Sequence, residues 1–459
     1  MIPLLADRLR PRDISATSRR NFRFELGSVG LMAAGLACVD VNVLGVLAKK
    51  AFAAGPWTVT LIAASDAIAN ITSLFWTRLL HGTDRVRSAN VLQFCTIACV
   101  VGIALTPFTW WGGWMLAGLA ILARVFFTGI INARTDLWRA NYPREARARV
   151  IARFTIVGTF VIATTGLLIA LSMDFKPGVL RALGFENPEG HAFRLVYLLA
   201  AVVAAGGALL FARVRWRGRR VQMALERGAR TEDGLHAASA RAMLRVLRED
   251  REYRRFMAAQ FVLGAPNLAA APVFILALDR FTLDYTQSIT LTRVIPILVP
   301  VAVTPLWGRL LDRMHIVRFR AYHSWVFVVA NAMMAGGFLL MSLPLLYASR
   351  IVLGVAFAGG LLAWELGHHD FAKRETAAVY MGVHVTLTGI RGVFAPFLGT
   401  LLFGGASLEW AGAGEGARLP GMGAWLFVLL AAVSAVGGWM FVRLYRDTRE
   451  RTGVRPVHD

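Results

Sequence analysis

Phe75-Trp76-Thr77-Arg78-Leu79-Leu80 and Leu306-Trp307-Gly308-Arg309-Leu310-Leu311 are two versions of one hexapeptide, about 230 residues apart in a chain of 459. Each closes an apolar run of about twenty residues, the length a helix needs to cross about 30 Å of hydrocarbon. Working outward from them, the chain reads as twelve such runs: 25–48, 57–80, 88–107, 112–135, 150–172, 195–212, 256–278, 287–308, 324–344, 345–366, 379–403 and 423–443. Two further pairs recur in the same order, Arg124 with Arg350 and Glu145 with Glu375. Ordered matches at equivalent places divide the twelve runs into two sets of six.

Composition agrees with a membrane protein. Hydrophobic residues make up 56% and charged residues 17%, with a mean hydropathy of +0.55, where soluble domains carry about 25% charge. The net charge of +22 invites a nucleic-acid reading, but the arginines sit in short segments between apolar runs, where they act as topology determinants. Of the 50 Lys and Arg, 39 fall in segments on the N-terminal side of the membrane and 7 on the other. That asymmetry predicts both termini in the cytoplasm, in a bacterial-type inner membrane. Cys38, Cys95 and Cys99 lie inside apolar runs and form neither a disulfide framework nor a zinc spacing. Residues 1–23 hold six arginines and no apolar core, so they read as a tail rather than a signal peptide.

The predicted organisation is a tail (1–23), a six-helix bundle (24–212), a basic linker (213–255), a second bundle (256–443) and a C-terminal tail (444–459). In the linker, Thr231-Glu232-Asp233 can cap a helix whose narrow apolar face is Met243, Leu244 and Leu247. Two readings stand for it: a surface helix lying on anionic lipid headgroups, or a solvated linker.

Gly308-Arg309-Leu310-Leu311-Asp312-Arg313 resembles the G-x-L-x-D-R motif between spans eight and nine of the major facilitator superfamily. In the first half Thr77 stands for the glycine, and His81-Gly82-Thr83 precede Asp84-Arg85. Arg350-Ile351-Val352-Leu353-Gly354 is similar to the family's R-x-x-x-G motif, and its fourth-span copy is Arg124 with Gly129. The resemblance implies an all-α fold of twelve transmembrane helices in two pseudo-symmetric six-helix bundles, working as a secondary carrier. It also implies a gating role for Gly308, Asp312, Arg313, Asp84 and Arg85. The alternative for these residues is a positive anchor that fixes topology. An aspartate at position 312 can also satisfy N–H groups at the start of span nine.

A charge inside a span costs at least about 2.5 kcal/mol on insertion scales, so each needs a reason. The candidates are Asp40, Asp66, Arg124, Arg293, Arg350, His384 and Arg391. None falls in the middle of spans three, six, nine or twelve, which the resemblance makes the outer helices. Counting residues along the spans puts Asp40, Asp66 and Arg124 at similar depth, as one buried cluster. One reading makes Asp40 or Asp66 the carrier of a coupling proton, with Arg124 favouring its ionised form in one conformation. The other is a static ion pair. Arg293 and Arg391 have no carboxylate at matching depth in their own half. They suggest an anionic or zwitterionic substrate, unless they reach the Asp40–Asp66 pair or a backbone carbonyl. Arg350, near a span end, can snorkel. His384 suits a proton path or a core hydrogen bond. Glu365, His368, His369 and Asp370 form a Glu-x-x-His cluster that reads first as a polar helix end, with no metal site assigned.

The expected function is therefore secondary active transport of a small, anionic or zwitterionic solute by alternating access, with protons as the coupling ion, by a monomer without cofactor or nucleic-acid partner. Two other classes compete: a non-transporting sensor or assembly factor on the same scaffold, and a polytopic membrane enzyme. The outer loops 173–194 and 404–422 hold no catalytic pattern, and no G-x-x-x-x-G-K-[ST] motif for ATP is present.

Overall fold

Among the described residues, five helices begin where an oxygen-bearing side chain takes up N–H groups of the first turn. Ser15 accepts from Ser18, Asp40 from Asn42 and Val43, Asp84 from Val86 and Arg87, and Asp250 from Tyr253. Asp284 and Gln287 form a reciprocal capping box. The computed structural model describes residues 14–184, 188–228, 234–368, 370–372, 376–407 and 418–452.

The first half runs α1 (Ala16–Cys38), α2 (Val41–Ala51), α3 (Pro56–Ile71), α4 (Ser73–Leu80), α5 (Arg85–Ala104), α6 (Gly112–Asn141), α7 (Arg144–Ala182) and α8 (Pro188–Phe211). Two linker helices follow, α9 (Arg219–Gly228) and α10 (Gly234–Glu249). The second half has α11 (Arg251–Ala277), α12 (Tyr285–Ile289), a π-helical turn (Thr290–Val294), α13 (Ile295–Leu311), α14 (Ile316–Leu339), α15 (Leu343–Leu366), α16 (Ala377–Gly404) and α17 (Trp425–Thr452). A two-stranded ribbon, Gly405–Ser407 against Arg418–Pro420, joins the last two helices. Among the described residues, ten helical stretches are long and apolar enough to cross a membrane. Pro56–Leu80 and Ile316–Leu339 occupy the places of the second and ninth expected spans, so the order is consistent with twelve.

The chain divides into two compact units: residues up to 230 together with 284–294, and residues 231–283 with those from 295 onward. Each unit uses the same helix pairings. In the first, span one packs on spans five and six, span three on spans four and six, and span two on span four. In the second, span seven packs on eleven and twelve, nine on ten and twelve, and eight on ten. A tight tryptophan–glycine contact recurs as well. Trp76 lies against Gly129 in the first unit, and Trp307 against Gly359 in the second. A Cβ at Gly129 would meet the Trp76 ring at 2.8 Å, and one at Gly359 the Trp307 ring at 3.1 Å. The hexapeptide repeat is thus a packing repeat.

Several expected boundaries differ. The first span starts at Ala16, inside the segment expected to be a tail, and α17 continues to Thr452, past the expected end at 443. Span nine starts at Ile316 instead of 324, which brings Arg318, Arg320 and His323 into the helix. The linker is split: α9 belongs to the first unit and α10 to the second. On α10, Met243, Val246 and Leu247 pack on the core of the second unit, and Met243 lies against Gly382. Two residues of the expected apolar face, Met243 and Leu247, are thus covered by protein, and the third, Leu244, is exposed. Thr231-Glu232-Asp233 lie outside the described residues.

One buried ion pair pins the start of the chain. Glu25 is fully buried on α1, and its three partners lie four residues apart on α6 and at its end. Its Oε1 accepts from Arg134 Nη2 at 3.1 Å and Trp138 Nε1 at 2.5 Å, and its Oε2 from the Tyr142 hydroxyl at 2.9 Å. Burial, then the charge of Glu25, pushes the Tyr142 phenol well above its ordinary pKa and keeps it a donor. Glu25→Gln leaves the Arg134 guanidinium buried without a counter-charge, at a cost of about 3–5 kcal/mol. The expected result is a clearly lower unfolding midpoint in detergent by circular dichroism, mostly restored in the double variant with Arg134→Met.

Candidate functional site

The first span is broken at Val39–Asp40. Asp40 has extended backbone (φ −65°, ψ 130°), which ends α1 and opens α2. A break within a membrane span leaves backbone groups that no water can satisfy, so the protein must do it. Asp40 Oδ1 accepts from Asn42 N at 3.1 Å and Val43 N at 3.4 Å. The Val39 carbonyl accepts from Arg124 Nε at 3.1 Å. The same carboxylate takes Arg293 Nη2 at 2.6 Å, and Arg124 Nη2 stands 3.8 Å from it. Arg124 Nε also reaches Asp66 Oδ1 at 3.1 Å.

The structure therefore brings Asp40, Asp66 and Arg124 together and adds Arg293. The two carboxylates are in unlike surroundings. The Asp40 side chain is 3% exposed and engaged by backbone and guanidinium donors; that of Asp66 is 52% exposed and meets one guanidinium. Arg124 stands between them and can bond either. Asp40 is a helix cap at a break, not a residue midway along a continuous helix as its position in the run suggested.

Arg293 sits on the π-helical turn. It belongs to the residues that pack with the first unit, which explains its carboxylate partner. Of the two expectations for Arg293, an unpaired guanidinium or one that reaches the Asp40–Asp66 pair, the structure shows the second. The preceding cap explains how the segment is held. Asp174 on α7 accepts from Tyr285 N at 3.0 Å and from Thr286 N at 2.8 Å, and Thr286 Oγ1 donates to it at 2.5 Å. Asp174 lies in the 173–194 stretch, where the sequence offers no sign of this distant partner.

The remaining intramembrane candidates lie elsewhere, in the second unit. Arg391 donates to the carbonyls of Gln260 at 2.6 Å and Phe261 at 3.4 Å. Arg350 is buried with its guanidinium 3.3 Å from the centre of the Phe274 ring and Nη2 on Met334 Sδ, so it does not snorkel. His384 is fully buried beside Trp364. Arg320, counted from sequence among loop charges, is 2% exposed.

The gating motif is inverted relative to expectation. Its less regular first copy builds the network. Asp84 caps α5 and accepts from Arg219 Nη2 at 2.8 Å. Arg85 is buried, with Nε on Asp136 at 2.8 Å and Nη2 on Glu226 of α9 at 3.0 Å. It also donates to the Leu80 carbonyl. The inserted His81-Gly82-Thr83 makes the seat for α9: Gly82 N donates to Glu226 Oε2 at 2.7 Å, and His81 Nε2 meets the Glu226 carbonyl at 2.7 Å. Gly82 has φ +66°, a left-handed conformation that glycine adopts without strain. The regular second copy does less. Asp312 and Arg313 are exposed, and the start of α14 is capped by His315, with Asp370 accepting from Ile316 N at 2.7 Å. This corrects the capping role expected of Asp312. Gly308 has open space beside it, with Leu362 at 3.9 Å from a built Cβ.

Asp370 is thereby taken from the Glu-x-x-His cluster, and His369 lies outside the described residues. Among the described residues, no group of three or more His, Cys, Asp and Glu is placed to hold a metal ion. Glu226→Gln removes one of the two anionic partners of Arg85, the one on α9, where a charge-assisted hydrogen bond is worth about 1.5–3 kcal/mol. Limited trypsin digestion should then cut faster after Arg219, Arg220 and Arg227; an unchanged cleavage pattern would show that Glu226 does not hold α9.

Comparison with known proteins agrees with this architecture. The family model of the Major Facilitator Superfamily matches residues 27–322. No curated protein matches the chain in sequence. Similar solved structures include the nucleoside transporter NupG, with a TM-score of 0.65 at 12% identity over 94% of this chain and 99% of that one. The D-xylose-proton symporter gives 0.64 at 11% over 92% and 98%. A bacterial homologue of the human lysosomal transporter Spinster gives 0.61 at 15% over 92% and 96%. At these identities the likeness is one of fold. With a family match over most of its length, ten helical stretches among the described residues long and apolar enough to cross a membrane, and one set of helix pairings used twice, the chain is a multi-pass membrane protein of the Major Facilitator Superfamily.

Proposed function

We propose that this chain is a proton-coupled secondary transporter in which Asp66 carries the proton and Asp40 anchors the site. The observation behind this reading is the shared arginine between two unlike carboxylates. Asp66 is half exposed and rests on Arg124 alone among the contacts described above, so a proton can reach it and displace one ion pair. Arg124 then has Asp40 within 3.8 Å and the Val39 carbonyl already bound. A buried guanidinium that loses one anion turns to the nearest other. Its approach to Asp40 competes with Arg293 for the same Oδ2 atom. Protonation of Asp66 thus loosens the hold of Asp40 on residues 285–294, and this couples a proton to a change of state. Alternating access of this kind is the general mode of the fold.

The 39-to-7 distribution of basic residues supports an inner membrane with both termini cytoplasmic. Nothing in the site points to a catalytic constellation, and transport, not enzymatic turnover, is the reading the family supports. The anionic-substrate reading rested on two arginines without a carboxylate partner; Arg293 is paired with Asp40, and Arg391 is bonded to main-chain carbonyls only. The neighbours in fold are named for different cargoes, a nucleoside and D-xylose among them, so the solute class is a matter for a panel.

The test uses proteoliposomes enclosing a pH-sensitive dye, challenged with a nucleoside, a pentose, a dipeptide and a dicarboxylate. One class should move protons with it. Asp66→Asn should abolish that proton movement while keeping solute counterflow. Asp40→Asn should lose both and lower the unfolding midpoint. Proton movement unchanged in Asp66→Asn would exclude Asp66 as the carrier, and a lack of response to every class would favour the sensor or assembly-factor reading.

A further inference from the structure

The two units treat buried charge in opposite ways. The first contains buried Glu25, Asp40 and Asp84, and each faces an arginine. The second contains buried Arg320, Arg350 and Arg391, and among its described residues no carboxylate is buried. Three acids of this unit are engaged with other partners: Asp250 with Tyr253 N and Tyr380 Oη, Asp370 with Ile316 N, and Asp447 with Arg255.

Arg320 and Arg391 converge on one residue. Arg320 donates to the Gln260 side-chain oxygen and, through Nη1, to His323 Nδ1 at 3.1 Å. His323 Nε2 donates in turn to the Ala356 carbonyl at 2.9 Å, so its ring is neutral with Nδ1 as acceptor. Arg391 takes the Gln260 main-chain carbonyl from the other side. Gly264 makes room for this, since a Cβ there would collide with the Arg391 guanidinium. Every one of these partners is neutral. They satisfy hydrogen bonds but leave two guanidiniums, which keep their protons, close together without a counter-charge.

Among the described residues, four buried atoms here are left without a hydrogen-bond partner: Arg320 Nε, Arg391 Nε and the two ring nitrogens of His384, of which one is a donor in the neutral ring. His384 precedes Arg391 by two helical turns on α16, so the two side chains share a face. It lies within electrostatic reach of both arginines. Buried polar groups in native proteins are nearly all bonded, and unbonded ones mark an absent partner. One kind of partner answers both deficits, the missing acceptor and the missing negative charge.

We propose that the interior of the second unit binds a compact monovalent anion, held by Arg320, Arg391 and His384. The chemistry is that of a halide or a carboxylate accepting N–H donors. It does not depend on the proton-coupling reading, whose residues are all in the first unit.

The test is thermal unfolding of the purified full chain in detergent at fixed pH and ionic strength, in the salts of a bulky organic sulfonate, chloride, bromide and acetate. Arg391→Gln and His384→Leu are measured beside the wild type, and bromide-soaked crystals are examined for anomalous scattering. Stabilisation of several degrees by chloride and bromide is expected. Its half-saturating concentration should rise at least tenfold in each variant, with a bromide peak beside Arg391. Stabilisation by acetate alone, weakened in the same variants, supports the site and assigns it to a carboxylate-bearing solute. Equal midpoints in all four salts would overturn the proposal. So would an anion effect undiminished in both variants, or bromide peaks confined to the surface.

Discussion

The break in the first span at Val39–Asp40 is the constraint on which the candidate site depends. A helix interrupted inside hydrocarbon exposes backbone groups whose desolvation costs several kcal/mol apiece unless they are bonded. Here one aspartate caps the second segment, and one arginine takes the carbonyl at the end of the first. Those two side chains then carry opposite charges at the same depth, and each draws a further partner: Arg293 to Asp40, and Asp66 to Arg124. A charged cluster in this unit is thus a consequence of interrupting the helix.

Once charges are needed, the way they are compensated separates structural from working pairs. Glu25–Arg134 is closed on every side, with a tryptophan and a tyrosine filling the remaining acceptor positions. Opening it would leave a bare charge in a medium of low dielectric, so it serves as a pin. Arg85 is buried likewise but shares its donors between Asp136 and Glu226, both more exposed than itself. That arrangement ties the linker helix α9 to the loop between spans two and three without embedding either acid.

The fold was legible in the sequence because its signals are local and periodic. Runs of about twenty apolar residues, the charge asymmetry between loops, and the Trp76/Trp307 hexapeptide each need only neighbours along the chain. The site was half legible. Depth counting brought Asp40, Asp66 and Arg124 together, since span length fixes height in a membrane. It left Arg293 between a free guanidinium and a partner of the Asp40–Asp66 pair, because the π-turn and the cap from Asp174 depend on a residue more than a hundred positions away. Nor does counting arginines by segment distinguish a loop charge from a buried one. Arg85, Arg134 and Arg320 were all counted as topology determinants, and all three are buried. Their partners, Glu226, Glu25 and Gln260, lie 141, 109 and 60 residues away. The motif copies misled for a related reason: the irregular one gained its insertion as a seat for α9, and regularity of spacing carries no information about that partner.

Magnitudes are the ground for proposing Asp66 and not Asp40 as the reversible partner. Two unit charges about 4 Å apart attract by about 4 kcal/mol at an effective dielectric of 20, and by about 1 kcal/mol in water. A side chain 52% exposed lies between these limits, so neutralising it costs the pair little more than a few kilocalories. Asp40 loses much more on neutralisation, because it forfeits Arg293, the approach of Arg124 and the favourable placing of an anion at the start of α2. In the proposed proton-coupled cycle, the exposed acid is the one whose charge changes without dismantling the break, and the buried acid is the fixed point against which Arg124 would move. A site with two acids equally buried would lock, and one with two equally exposed would not hold Arg124 at the broken helix. The inequality between Asp40 and Asp66 makes one arginine able to stand in two places.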